Sequence, residues 1–212
     1  MKRQVRALGR VLTPFRRSWH KTSEMVGSAQ RNRVRGSCAM GVWNVRNDEE
    51  RQRWDYVPLV SVGPLRFGMG YQEIIDALDP FVQTGGVGSG DRPVARRYPQ
   101  LGVTVYYDGD IRLAGVAVDT LIGPQVILDG TALVAQVPST MEKWIHEYAK
   151  AQGYEVSYIH EGNPAAPDLG LILRVQRAGD VVLTRPLFLL RERGEWAREP
   201  WYCVHAYEWA IH

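Results

Sequence analysis

The sequence predicts an α+β fold: a tandem of two units, each a helix followed by an antiparallel sheet, with the helices on one face of the sheet and the other face partly open. Three observations predict it. First, an apolar stripe at helical spacing, Tyr71, Ile74, Ile75 and Leu78, recurs 70 residues later as Met141, Trp144, Ile145 and Tyr148. Second, the approaches to the two stripes align without a gap, Leu65 and Phe67 against Ala135 and Val137, with Gly68 against Pro138. Third, a hairpin pattern follows each stripe. Val103, Val105 and Tyr107 alternate before the turn Asp108-Gly109-Asp110, and Leu171, Leu173 and Val175 alternate before Arg177-Ala178-Gly179-Asp180. A stripe, a hairpin and a turn repeated at one offset indicate a duplicated folding unit.

Charge divides the chain before this pattern begins. Residues 1–40 carry ten of the 26 Lys and Arg residues and one of the 23 acidic residues, Glu24, a net charge of +9. The remainder then holds 16 basic and 22 acidic residues, a net charge of −6. A basic arm precedes an acidic body. Three readings of the arm stand: a phosphate-binding tail that gains affinity by counterion release, an Arg-rich targeting peptide, or a disordered leader whose true start is Met40. Residues 41–56 read as a linker, 57–130 as the first helix-and-sheet unit, and 131–212 as the second.

Within the first unit, residues 64–80 read PLRFGMGYQEIIDALDP. Gly68 and Gly70 give the backbone freedom for a sharp strand-to-helix turn, Met69 or Gly70 starts the helix, and Pro80 stops it. At the corresponding place in the second unit, Ser139 with Glu142 three residues on predicts a capping box, and Gly153 a helix stop. The two turns share no chemistry, which speaks for a folding corner rather than a phosphate cradle. The expected core comprises Leu65, Phe67, Ile74, Ile75, Leu78, Val103, Val105, Leu113, Ile127, Trp144, Ile145, Leu171, Leu173, Val181 and Leu183.

Motifs for chemistry are sparse. The run GGVGSG at residues 85–90 lacks the following Lys-Ser/Thr of a phosphate loop and trails a helix, so it reads as a flexible connection. There is no HExxH, GxSxG or CxxC. Cys38 and Cys203 read as reduced thiols, His146 as a solvated or edge residue, and His160-Glu161 as a loop pair whose side chains point to opposite sides. No cofactor, metal site or catalytic residue is expected. No run of 18 apolar residues exists, so no membrane-spanning helix is predicted and a cytoplasmic location is expected.

The C-terminal run WYCVHAYEWAIH, residues 201–212, alternates Trp201, Cys203, His205, Tyr207, Trp209 and Ile211 against Tyr202, Val204, Ala206, Glu208 and Ala210. Both faces are largely apolar. Either this is a closing strand that fills the core, or Trp196, Arg198, Trp201 and Tyr207 form a partner-binding rim, since Trp, Tyr and Arg dominate interface hot spots.

The segments VPLVSVGPLRFGMGYQEIIDAL and LGVTVYYDGDIRLAGVAV resemble a group of small actinobacterial proteins of immunity-like role with a GPLRFGM, helix and hairpin core. The doubled helix-plus-sheet pattern is more distantly similar to the beta-lactamase inhibitory protein and to SmpA/OmlA-type repeat domains. The resemblance implies protein binding without catalysis: an immunity or inhibitor protein that occludes a toxin or enzyme active site. An acidic body suits a basic partner through electrostatic steering. The alternative is nucleic-acid binding by the arm.

Overall fold

A computed structural model describes residues 43–78, the backbone of 85–87, and residues 95–159, 162–190 and 208. All of them belong to one compact unit, Ala39–His212. The fold of the described residues is mixed α+β and mostly sheet, with two helices and two sheets.

The smaller sheet opens the chain. β1 (Arg53–Val57) buries Trp54 and Tyr56 and exposes Arg53, Asp55 and Val57, the alternation of a half-buried strand. It pairs antiparallel with β2 (Ser61–Val62), which pairs with β3 (Leu65–Arg66). The linker expected over 41–56 is therefore corrected at its end, because apolar alternation at Trp54 and Tyr56 recruits Arg53–Tyr56 into a sheet.

α1 (Tyr71–Leu78) turns Ile74 and Leu78 inward. Its entry explains the two glycines. Gly68 has φ +82°, and its N–H donates to the Leu113 carbonyl at 2.8 Å, while the Gly70 N–H donates to Glu73 Oε2 at 2.7 Å. The second bond is the reach-back half of a capping box. Both amides are used inside the fold, so the turn is a corner and offers neither to a phosphate.

The larger sheet follows. β4 (Gly85–Val87) pairs with β5 (Ala95–Tyr98), so the first half of GGVGSG is an edge strand rather than the expected connection. β5 pairs with β6 (Val103–Tyr107), and β6 with β7 (Leu113–Val118), around the predicted turn. Asp108 shapes that turn by accepting the N–H groups of Asp110 and Arg112 on Oδ1. The chain then returns to the small sheet, where β8 (Gln125–Leu128) lies parallel to β1 and antiparallel to β9 (Thr131–Ala132). A parallel pair needs a crossover connection, and here the crossover carries α1 and half of the larger sheet.

α2 (Pro138–Gln152) buries Met141, Ile145 and Ala149 and ends at Gly153 with φ +75°, as predicted. The expected capping box is absent. Val137 is the N-cap with no side-chain bond, because Pro138, pre-set at the first helical position, starts the helix two residues early. Ser139 then sits past the cap, and the Glu142 carboxylate accepts from Tyr158 instead.

β10 (Ser157–Ile159), β11 (Asn163–Ala166), β12 (Leu171–Ala178) and β13 (Val181–Leu189) complete the larger sheet, which runs β10-β11-β12-β13-β7-β6-β5-β4. β13 pairs with β7, so the two predicted hairpins join as one continuous antiparallel surface. Strand parity sorts its residues. One face sends Val103, Val105, Val116, Val118, Leu171, Leu173 and Phe188 into a large core shared with Ile74 and Leu78 of α1, Met141 and Ile145 of α2, and Trp54, Tyr56 and Val126 of the small sheet. The other face carries Tyr106, Ala117, Ile172 and Leu187 in a second apolar cluster. That second face, expected to be partly open, is buried at its centre.

Of the expected core, Leu65, Ile74, Leu78, Val103, Val105, Leu113, Ile127, Ile145, Leu171 and Leu173 are buried. Phe67 and Trp144 pack at its margin. Val181 is a correction: it is 53% exposed, because it follows directly on the tight Gly179–Asp180 turn at the hairpin tip.

Candidate functional site

The expected partner-binding residues Trp196, Arg198, Trp201 and Tyr207 lie outside the described residues, as do Cys38, Cys203, His160 and Glu161. Of the C-terminal run only Glu208 is described. It has 3-10 conformation at that point, not the strand expected there, and it is 1% exposed.

Glu208 lies at the centre of a charge network on the second sheet face. Arg174 on β12 and Arg185 on β13 are register partners across the ladder, so two guanidinium groups stand side by side in a buried setting. Left alone they would repel each other and carry a heavy desolvation cost. Glu208 resolves both problems. Its Oε1 accepts from Arg174 Nη1 at 2.5 Å and Arg185 Nε at 2.7 Å, and its Oε2 from Arg185 Nη2 at 3.1 Å and the Tyr106 hydroxyl at 2.5 Å. Burial alone would push this carboxyl up, but the adjacent Arg185 and then Arg174, with the Tyr106 hydrogen bond, hold it below its ordinary value. For Tyr106 burial and the neighbouring negative charge act together, and its phenol is pushed well above its usual range.

The network continues to Asp119 in the loop after β7. Its Oδ1 accepts the backbone N–H groups of Leu121 and Ile122, and its Oδ2 accepts from Gln176 Nε2 at 2.9 Å and Arg185 Nη1 at 3.2 Å. A carboxylate has about four acceptor positions, so Asp119 is saturated. With two arginines and two carboxylates the network carries no net charge.

A second arginine-led device fixes the loop from the other side. Arg51, 5% exposed, donates from Nη1 to the Gly123 carbonyl at 2.6 Å and from Nη2 to that of Thr120 at 2.7 Å. Burial lowers its affinity for the proton, offset in part by Asp48. Gly123 is needed at this loop because a Cβ would sit 2.6 Å from Val118 Cγ1.

Between this loop and the β5–β6 turn opens a cleft of about 320 Å³ lined by Arg97, Tyr98, Thr104, Asp119, Ile122 and Arg185 among others. Among the described residues no group of three or more His, Cys, Asp and Glu side chains is placed to hold a metal ion. No described helix is long and apolar enough to cross a membrane.

A third feature is apolar and solvent-facing. At the β12–β13 tip Val181 and Val182 are 53% and 44% exposed, and Trp43 is 48% exposed. Trp43 lies against the turn, within 3.5 Å of where a Cβ on Gly179 would stand.

No protein-family model, curated protein or solved structure matches the chain.

Sequence reasoning missed Arg51, Asp119, Arg174, Arg185 and Glu208. For Arg174 a signal existed: it breaks the apolar run of β12 on the face that Ile172 shares. Glu208 likewise stands alone among apolar neighbours in its run.

Proposed function

We propose that this protein is a non-enzymatic binding protein, an immunity or inhibitor protein acting in the cytoplasm that occludes the active site of a toxin or other enzyme. The observation that carries the reading is the exposed tip, where Trp43, Val181 and Val182 offer apolar surface to solvent. Trp is the residue type most enriched in interface hot spots, and a partner would desolvate it against the turn that already backs it. The body's net charge of −6 favours a basic partner, drawn in by long-range attraction. Trp196, Arg198, Trp201 and Tyr207 remain part of this proposal as further contacts. So does the tandem arrangement of two helix-and-sheet units with the helices on one face.

The test is affinity capture from native lysate at low and moderate salt, with the parent chain and a Trp43→Asp variant side by side. A stoichiometric basic protein retained by the parent, released by salt and lost by the variant supports the reading. Its absence, or equal retention by Trp43→Asp, defeats it.

A second reading rests on the +9 charge of residues 1–40, which suits nucleic acid. Binding that survives deletion of those residues, or that is insensitive to salt, removes it.

A further inference from the structure

We propose that Arg96, Tyr98 and Tyr107, beneath the start of α1, form a binding site for the head group of a small carboxylate. The first observation is a buried charge without a counter-charge. Among the described residues the buried arginines are Arg51, Arg96, Arg174 and Arg185. Arg51 is held by backbone carbonyls, and Arg174 and Arg185 by Glu208. Arg96, 8% exposed, has neither: no ion pair among the described residues includes it. Its Nη1 donates to the Tyr71 hydroxyl, a neutral group, and its guanidinium lies 4.9 Å and 5.6 Å from the centroids of the Tyr71 and Tyr98 rings. Its buried Nε has no hydrogen-bond partner among the described residues. Ring faces offset part of the cost of desolvating a cation, but they leave that N–H without an acceptor.

The strands bring two further donors to the same place. Arg96 and Tyr98 share one face of β5; the register partner of Arg96 on β6 is Val105, and Tyr107 stands two residues beyond it on that face. The Tyr98 and Tyr107 hydroxyls are buried and likewise have no partner among the described residues. They lie near enough to influence each other's ionisation without a hydrogen bond of ordinary geometry between them. Burial, the largest influence on each, raises both phenols above their ordinary range, so both keep their protons and can donate.

One positive charge and three buried donors, none of them bonded to an acceptor, define the ligand. A carboxylate balances a single guanidinium, and its two oxygens offer about four acceptor positions to the Arg96 Nε–H and the two hydroxyls. A phosphate dianion would bring a second negative charge that Arg96 alone does not balance. An ammonium would be repelled. Access is provided on two sides. Gly86 is the register partner of Arg96 on β4, so that strand adds no side chain beside the guanidinium, and Tyr71, 39% exposed, links the group to solvent.

The experiment uses the full chain, isotope-labelled, at constant ionic strength with three probes: acetate, acetamide and methylammonium. The Arg96 Nε–H signal in two-dimensional NMR is the readout. Acetate is expected to move it saturably with a Kd in the millimolar range, as suits so small a ligand, and to raise the Tm. Acetamide and methylammonium are expected to bind at least about tenfold more weakly. Tyr98→Phe and Tyr107→Phe each remove one donor and keep the ring, and each is expected to weaken acetate about tenfold, whereas Tyr158→Phe on β10, at the far edge of the sheet, leaves it unchanged. Without acetate Tyr107→Phe is expected to melt no lower than the parent, since a hydroxyl without a partner contributes no bond to lose, and this separates a lost site from a damaged fold. The proposal is overturned if acetate leaves the Arg96 signal unmoved, if acetamide or methylammonium binds as well as acetate, if both Phe variants bind acetate like the parent, or if Tyr107→Phe melts lower than the parent without acetate.

Discussion

Replacing Glu208 with Gln isolates the charge network from everything else in the fold. The amide keeps the shape of the carboxylate but loses its charge, and it turns one acceptor into a donor that faces an arginine. Four hydrogen bonds converge on the native group, from Arg174, Arg185 twice and Tyr106. Breaking a buried ion pair by removing one partner costs about 3 to 5 kcal/mol, because the other partner stays buried without compensation. Here two guanidinium groups are left, 3% and 5% exposed, so the upper half of that range is expected. Against a typical total of about 5 to 15 kcal/mol this is severe. In a body of this size it corresponds to a fall in Tm of roughly 10 °C or more.

The measurement is urea denaturation of the parent and Glu208→Gln, repeated across pH. A carboxyl held below its ordinary value in the folded state contributes stability that is present above the unfolded pKa, about 4.3, and is lost as pH falls through the folded one. The advantage of the parent over the variant should therefore be full at neutral pH and shrink below about pH 4. A double variant, Arg174→Met with Glu208→Gln, should lose less than the sum of the single losses, by about 1 kcal/mol or more, since the first change removes one of the stranded charges. A loss under about 1 kcal/mol for Glu208→Gln at neutral pH, or an advantage that grows on acidification, would refute the reasoning.

Two further outcomes test the packing. Trp54→Ala empties a site 6% exposed against which Gly63 is already pressed, and equilibrium unfolding should show a loss of about 3 to 5 kcal/mol, whereas Trp43→Ala, at 48% exposure, should stay within about 0.5 kcal/mol of the parent. Gly170 has φ +62°, and a Cβ there would collide with the Leu189 carbonyl oxygen, so Gly170→Ala is expected to cost at least about 2 kcal/mol in the same assay.

Periodicity made the two helices, the two long hairpins and most of the core legible, because those features bury one face of a regular element and the burial leaves a period in the sequence. Ile74 with Leu78 and Met141 with Ile145 are buried at the predicted spacing. The small sheet left almost no period. β2, β3 and β9 are two residues each, too short to alternate, and one of the two partners of β1, β8, lies some seventy residues away. Ends of elements failed for a local reason. Pro138 overrode Ser139 at the start of α2, and a two-residue turn placed Val181 outside the core although its residue type suits a strand interior.

The charge network was illegible for a different reason, and that reason bears on what it does. A pairwise signal such as Arg174 opposite Arg185 exists only once the β12–β13 register is set, and Asp119 and Glu208 reach the pair from outside that hairpin. Asp119 and Arg185 alone read as solvated surface charges, and Arg174 and Glu208 stand out only as single charges in apolar runs, with nothing to pair them. Together they make the second sheet face specific: an apolar cluster would accept any greasy segment, but two buried guanidinium groups accept only a carboxylate, and only at the position that Glu208 occupies. Apolar replacements of all four charges would test this directly. Stability should then match or exceed the parent, as is often found when buried ion pairs are replaced by well-packed hydrophobic groups, while the sharpness of the thermal transition and the dispersion of NMR signals from β12 and β13 should fall. Unchanged dispersion with higher stability would assign the network no role in specificity.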